Sequence, residues 1–289
     1  MSAEATALKI ADRSLSESLF AKTKDYQLYQ GNSVELLNQF PEQQFDLVFA
    51  DPPYFLSNGG FTCKSGKRAS VQKGAWDVSR GVEEDHAFTT EWLKACQRVL
   101  KPTGTLWVSG TQHVIFNVGF AMQKLGFKLL NTVTWYKPNA SPNLSCRYFT
   151  HSTELLIWAS PRPAKTLQHT FNYARMKAEN GGKQMRDVWN LPRTGEEELT
   201  GDGEGRMWTQ IAPRREEKAF GSHPTQKPVA LLERIIEAST SEDAAILDPF
   251  NGSGTTGVAA LKLNRRYTGI DLDPTYLKLT QKRLDAARR

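Results

Sequence analysis

Two rhythms of apolar and polar positions alternate along this chain. Short unbroken apolar runs bounded by turn residues, FDLVFA (45–50), GTLWVSG (104–110), AAILDPF (244–250) and RYTGIDLD (266–273), have the pattern of buried strands. Longer segments between them carry apolar residues at helical spacing. In DHAFTTEWLKACQRVL (85–100) these are Phe88, Trp92, Leu93, Cys96, Val99 and Leu100. VIFNVGFAMQKLGF (114–127) predicts a second helix with a stop at Gly126. PTQKPVALLERIIEAST (224–240) predicts a third that begins at Pro228. TTGVAALKLN (255–264) and TYLKLTQKRLDAARR (275–289) complete the set, and YQLYQGNSVELLNQF (26–40) reads as strand, turn and helix. KLLNTVTWYK (128–137) and TELLIWAS (153–160) predict two further strands.

Strands that alternate with helices predict a parallel α/β sheet. Two stretches break the rhythm. Residues 56–77, LSNGGFTCKSGKRASVQKGAWD, read as one long polar loop, and such loops are usually lids or disordered. From Pro161 to Ser222 periodicity weakens while Gly, Arg, Lys and Glu accumulate, which predicts an insertion or small second module.

Composition narrows the picture only slightly. The chain has 289 residues, 39% hydrophobic and 24% charged, enough for a large core. A net charge of +6 permits a polyanionic partner without requiring one. Cys63, Cys96 and Cys146 are far apart and in no paired motif, so neither a disulfide framework nor a zinc site is expected. The first twenty residues lack the apolar segment of a secretory signal, and no run is long enough to span a membrane. A cytoplasmic protein without membrane contact is therefore expected.

Two motifs carry chemistry. Asp51-Pro52-Pro53-Tyr54 follows a predicted strand directly. Consecutive prolines cannot donate to a sheet ladder and each fixes its own φ. The chain either simply stops there or presents a carboxylate, free carbonyls and an aromatic where open α/β sheets bind ligands. The second motif, DPFNGSGTTG (248–257), sits between a predicted strand and a predicted helix, and Asp271 ends the next strand. Gly252, Gly254 and Gly257 would let a ligand lie against backbone N–H groups, and an acid at 271 could hold ribose hydroxyls. A nucleoside-containing cofactor is expected. A dehydrogenase is disfavoured, because only one strand and one helix follow the glycine turn.

Taken together, DPPY (51–54), CQRVLKPTGTLWV (96–108), HPTQKP (223–228), DPFNGSGTT (248–256) and GIDLD (269–273) resemble the amino-methylating DNA methyltransferases. The acid-proline motif preceding the glycine turn is the permuted order of that family's β group. The resemblance spans nearly the whole chain. It implies a doubly wound, mostly parallel seven-stranded sheet of the Rossmann-like methyltransferase type with a small inserted recognition module. The parts would be a catalytic half (1–160), a target-recognition insertion (161–222) and a cofactor half (223–289). It implies S-adenosyl-L-methionine as cofactor, no metal, and DNA as substrate, duplex or single-stranded, with a homodimer as a possible assembly. The setting would be bacterial, near the nucleoid, or phage-encoded. An acid at the first motif position is the usual adenine-N6 form, whereas serine is common for cytosine-N4; a cytosine-N4 or GANTC-specific adenine methyltransferase and an inactive DNA-binding regulator on the same scaffold stay as alternatives. SPNLSCRYFTHSTE (141–154) and ARMKAENGGKQMRDVW (174–189) further resemble enzymes that modify GATC in restriction systems.

By the same resemblance, Asp51, Pro52, Pro53 and Tyr54 form the catalytic element. Asp51 and the Pro52 carbonyl would accept the amine hydrogens, and Tyr54 would stack on the extruded base. The cofactor would be held by Asn32, Asp51, Thr225, Lys227, Asp248, Phe250, Asn251, Gly252, Ser253, Gly254, Thr255 and Asp271. Asn32 departs from the family, where many relatives have an acid. Lys64, Lys67, Arg68 and Lys73 make the 55–78 loop basic, either as a lid over the nucleotide or as a solvated connection. Arg175, Lys183 and Arg186 are expected to read the target. His151 and His223, and the aromatics Tyr148, Phe149, Tyr173, Trp189 and Trp208, are read as structural.

Overall fold

A computed structural model of the chain describes residues 13–59, 61–64, 67–70, 74–137, 140, 142–162, 168–189, 213–221 and 223–288. The elements run β1 (Leu19–Lys22), β2 (Tyr26–Gln30), α1 (Ser33–Gln39), β3 (Phe45–Ala50), β4 (Phe61–Lys64), β5 (Lys67–Ser70) and α2 (Val82–Val99). They continue with β6 (Leu100–Gly110), α3 (Gln112–Lys124), β7 (Lys128–Tyr136), β8 (Thr153–Ser160), α4 (Tyr173–Glu179) and β9 (Val188–Trp189). The last five are α5 (Val229–Ser239), β10 (Ala245–Asp248), α6 (Thr255–Lys262), β11 (Arg266–Asp271) and α7 (Pro274–Ala287).

The main sheet has the order β1-β2-β11-β10-β3-β6-β8-β7-β9. Seven strands, β2 to β7 in that order, are the expected set, and two edge strands raise the number to nine. β1 folds back antiparallel on β2, and the two-residue β9 pairs parallel with β7. Neither is long enough to show a period in the sequence. β8 runs against both its neighbours, so its amino end reaches the edge where β3, β6, β10 and β11 finish.

Successive residues of the central strands face opposite layers, as a two-residue period requires. Val48, Leu106, Val108 and Leu247 join one core with Leu37 of α1, Trp92 of α2 and Val118 of α3. Leu47, Phe49, Trp107 and Ile246 join the other with Leu231 of α5, Ala259 of α6 and Leu277 of α7. Both faces are therefore covered, which is why these strands read as unbroken apolar runs. At the opposite edge of the sheet Asp46 ties three strands together. It accepts Nζ of Lys101 at 2.7 Å and the backbone N–H of Ala245 at 2.8 Å.

From β10 the chain crosses to β11 on one side, and from β3 it crosses to β6 on the other. The gap between the carboxyl ends of β3 and β10 is thus a topological switch point, where such sheets open a crevice.

The stretch read as a loop after β3 contains an antiparallel hairpin, β4–β5, with Lys64 opposite Lys67. The described part of 161–222 lies on the body of the fold. Asn172 Nδ2 donates to the carbonyls of Glu237 and Thr240 at 2.6 and 2.8 Å, docking α4 on α5. Trp189 of β9 is buried against Trp107, ring centroids 5.8 Å apart. Trp208 and the acidic run 196–204 lie outside the described residues. Among the described residues no helix is long and apolar enough to cross a membrane.

Trp189→Ala should lower the free energy of unfolding by about 3–5 kcal/mol, the usual loss for a truncated core aromatic. Urea denaturation measures this. A loss under about 1 kcal/mol would mean β9 is a peripheral attachment.

Candidate active site

A cavity of about 570 Å³ opens at the switch point, walled by Asp51, Tyr54, Trp76, His223, Asp248 and Asp271 among others. It lies in the usual size range of small-molecule sites. Three of the acids in its wall end a parallel strand or follow one directly: Asp51 after β3, Asp248 on β10, Asp271 on β11.

The acid-proline corner sits in a buried polar circuit. Asp51 Oδ1 accepts the Tyr54 hydroxyl at 2.7 Å, and Oδ2 accepts Nζ of Lys227 at 2.6 Å. The phenol also lies 2.8 Å from Glu154 Oε1 and 2.9 Å from Ser109 Oγ. Lys227 Nζ is 3.1 Å from the same Glu154 oxygen, and Lys137 pairs with the other. Burial works against the charge on Lys227, but Asp51 and Glu154 outweigh it and raise its pKa to about 12. Burial likewise opposes ionisation of Glu154, and Lys227 and Lys137 overcome it, holding the carboxyl well below its usual range. Burial, then Asp51 and Glu154, push the Tyr54 phenol far up, so it stays a hydroxyl.

Two expected site residues are held within this circuit. Lys227, expected to hold the cofactor, has its ammonium engaged by Asp51 and Glu154. Tyr54, expected to stack on the extruded base, is 7% exposed and its hydroxyl is anchored. Part of it still borders the cavity.

Asp77 shapes the same corner and has no signal in the sequence beyond one acid in a polar loop. Fully buried, it accepts the backbone N–H of Tyr54 at 2.8 Å and of Leu56 at 3.2 Å, plus the Ser57 hydroxyl at 2.9 Å. Phe55 between them has a φ of +55°, so the turn is strained and Asp77 holds it.

On the cofactor side, the glycine turn is shaped for backbone approach. Gly254 has a φ of +71°, and a Cβ there would lie 2.4 Å from Thr280 Cγ2. Gly252 donates its N–H to Asp271 Oδ2 at 2.7 Å, while Asp273 N–H meets Oδ1 at 2.9 Å. Asp248 accepts the N–H of Phe250 at 3.0 Å and the Thr256 hydroxyl. Burial raises Asp248 to about 7 against these bonds, with Asp51 and Asp271 adding repulsion. Burial also raises Asp271 to about 6.

The other expected cofactor residues divide into wall and frame. Phe250 lies edge-on to Trp92 at 5.5 Å. Thr225 bonds through its hydroxyl to His223 Nδ1 at 3.0 Å, and His223 packs on Tyr276. Asn32 caps α1, its amide oxygen 2.9 Å from the N–H of Val34, which is a common use for asparagine. Asn251 turns inward to Thr280 and Tyr267, and Ser253 bonds Thr255 within the turn.

Of the residues expected to contact DNA, Arg175 is committed elsewhere: it pairs with Glu237 of α5 and Glu179 of its own helix. It braces α4 against α5 and is not placed as a target-reading group. Lys183 and Arg186 are exposed between α4 and β9. Lys64, Lys67 and Arg68 fall on the hairpin, and Lys73 lies outside the described residues. Trp189 is core, as read, whereas Tyr148, Phe149 and Tyr173 are exposed. Among the described residues no cluster of His, Cys, Asp or Glu could hold a metal.

The DNA methylase family model matches residues 45–282. The chain is 48% identical over 259 residues to the type II methyltransferase M2.DpnII of Streptococcus pneumoniae, covering 90% of this chain and 89% of that protein. It is 45% identical over 260 residues to M2.MboI of Moraxella bovis, covering 90% and 88%. Among solved structures, the M1.HpyAVI–SAM complex superposes with a TM-score of 0.59 at 23% identity, over 90% of this chain and 99% of that one. The cytosine-N4-specific PvuII DNA methyltransferase gives 0.66 at 20% identity, over 91% and 87%. These two show the same fold. The sequence match across most of its length establishes that this chain belongs to the DNA methylase family.

Proposed function

We propose that the protein transfers the methyl group of S-adenosyl-L-methionine to N6 of adenine in DNA, within GATC, on a base extruded from its stack. The observation that carries this is the meeting of Asp51-Pro52-Pro53-Tyr54 and the glycine turn in one cavity at the switch point. The acceptor is DNA, duplex or single-stranded.

The residues suit the cofactor. Asp248 and Asp271 are carboxyls raised by burial in a wall with few cations, so a ligand bearing a sulfonium and an ammonium would relieve them. Asp271 would hold the ribose hydroxyls, Asp248 and Phe250 the methionine side, and Gly252 and Gly254 would let the cofactor lie against the turn. When bound, the cofactor supplies an activated methyl and its own leaving group.

The chain's own residues make the amine reactive. An exocyclic amine is a weak nucleophile because its lone pair is delocalised into the ring. Asp51 and the Pro52 carbonyl accept its two hydrogens and draw the nitrogen toward tetrahedral geometry, aiming the lone pair at the methyl. With the cofactor bound, its sulfur would keep the S–C bonding pair as the methyl is transferred, and the Asp51 carboxylate that already holds the amine would take the proton the nitrogen sheds. Tyr54 borders the base, and such aromatic contact is worth roughly 1–3 kcal/mol per base. The basic hairpin lies directly after this corner in sequence and screens the nucleotide phosphates, while Lys183 and Arg186 contribute to target reading.

Digestion of DNA from cells expressing the protein, followed by mass spectrometry, should yield N6-methyladenine, with modified-base sequencing placing it in GATC. N4-methylcytosine would overturn the base, and another motif the site. Asp51→Ala should lower kcat at least about 100-fold, the loss typical of a positioned acid or base, with cofactor affinity nearly intact. Retention of full activity would refute the role. Asp271→Ala should weaken cofactor binding by about 1.5–3 kcal/mol, readable by calorimetry, and an unchanged dissociation constant would contradict it.

Proton linkage gives a separate test. Asp248 and Asp271 are raised to about 7 and about 6 before the cofactor binds, so at pH 6.5 they are partly protonated. A cation beside them favours the ionised forms, their pKa values fall, and binding must release protons. Calorimetry at pH 6.5 in buffers of different ionisation heat should therefore give different apparent enthalpies. Identical enthalpies would remove these carboxyls from the cofactor site.

A further inference from the structure

We propose that Glu154 is a positioning residue for methyl transfer, fixing the Asp51 carboxylate and the Tyr54 ring through two separate bonds while never touching the base. This rests on the reading of Asp51 as the group that accepts the amine hydrogens.

The geometry closes a ring of four side chains. Asp51 Oδ1 is held by the Tyr54 hydroxyl at 2.7 Å and Oδ2 by Lys227 at 2.6 Å. Both groups converge on Glu154 Oε1, the ammonium at 3.1 Å as a full donor and the hydroxyl at 2.8 Å, its single proton shared between Glu154 Oε1 and Asp51 Oδ1. A carboxylate gripped at both oxygens by donors that share one anchor cannot rotate without breaking a bond. Each Asp51 oxygen keeps lone-pair capacity for a further donor, which an incoming amine can use.

Glu154 is itself over-determined. Ser109 at the end of β6 donates to Oε1 at 2.8 Å, and Lys137 after β7 pairs with Oε2. The residue is 6% exposed and lies behind Tyr54, outside the set that walls the cavity. β8 alone among the central strands runs in reverse, so its second residue, and no later one, falls at the site edge. Two acids and two lysines leave the cluster electrically balanced, so Glu154 also keeps Lys227 from being a lone cation locked onto Asp51.

Glu154→Gln keeps the shape and one accepting oxygen while removing the charge and turning the second acceptor into an amide donor. Single-turnover methyl transfer to duplex DNA should slow about 10–100-fold, the scale of a small misplacement of reacting groups. Dissociation constants for cofactor and DNA, read by calorimetry and fluorescence anisotropy, should stay at the wild-type values. A merely structural role would not produce the second signature, non-additivity. In a Tyr54→Phe, Lys227→Met background, which lacks both connecting bonds, Glu154→Gln should cost less than about threefold. If Glu154→Gln alone fails to fold, Glu154→Gln with Lys137→Met restores charge balance and should show the same slowing. A wild-type rate in the folded variant, or penalties that simply multiply, would overturn the proposal. The two readings fail differently: an active Asp51→Ala removes the role of Asp51, whereas an inactive Asp51→Ala beside a fully active Glu154→Gln removes only the role of Glu154.

Discussion

The parallel pairing of β3 with β10 is the constraint on which the site depends. These strands are neighbours in the sheet with Leu47 opposite Ile246 and Val48 opposite Leu247. A slip of one residue would send every side chain of one strand to the other face and carry Asp248 away from Asp51. Asp46 guards the register, since one carboxylate binds the start of β10 and a lysine of β6 together. Once that register is set, the crossovers diverge and the crevice opens as a matter of topology.

Two electrostatic environments then lie side by side in one cavity. Around Asp51, acids and lysines compensate each other and need nothing from a ligand. Around Asp248 and Asp271, carboxyls are buried with backbone N–H and hydroxyl partners and little positive charge, so burial raises them above the ordinary carboxyl range. The first environment suits rigid orientation of a neutral base. The second is left unsatisfied until a cation arrives, which makes occupancy of the cofactor side sensitive to protons in a way the acceptor side is not.

Most of the fold was legible because its strands are buried on both faces and bounded by Gly, Pro and Asp. What escaped notice was short or polar. β1 and β9 are too brief to show a period, and the hairpin hid inside a lysine-rich stretch because charged residues on a two-stranded ribbon leave no apolar trace. Asp51 and the glycine turn were readable from type and spacing. Glu154 was not: one acid at the start of TELLIWAS looks like a solvent-facing strand end, and only the reversed direction of β8 turns it into the interior. Asp77 and the true partners of Lys227 and Arg175 were invisible for the same reason, since each bond joins segments that sequence spacing cannot relate.

The order of elements has a consequence for how this protein is made. β3 leaves the ribosome about 195 residues before its central partner β10, from Ala50 to Ala245. At ~5–20 residues per second, that is on the order of ten to forty seconds. Throughout that interval one edge of β3 has no strand beside it, a state prone to association with other chains. Nascent or prematurely terminated chains would therefore hold Asp51–Tyr54 without the turn beside it and, short of residue 227, without the lysine that binds Asp51. They are candidates for chaperone capture.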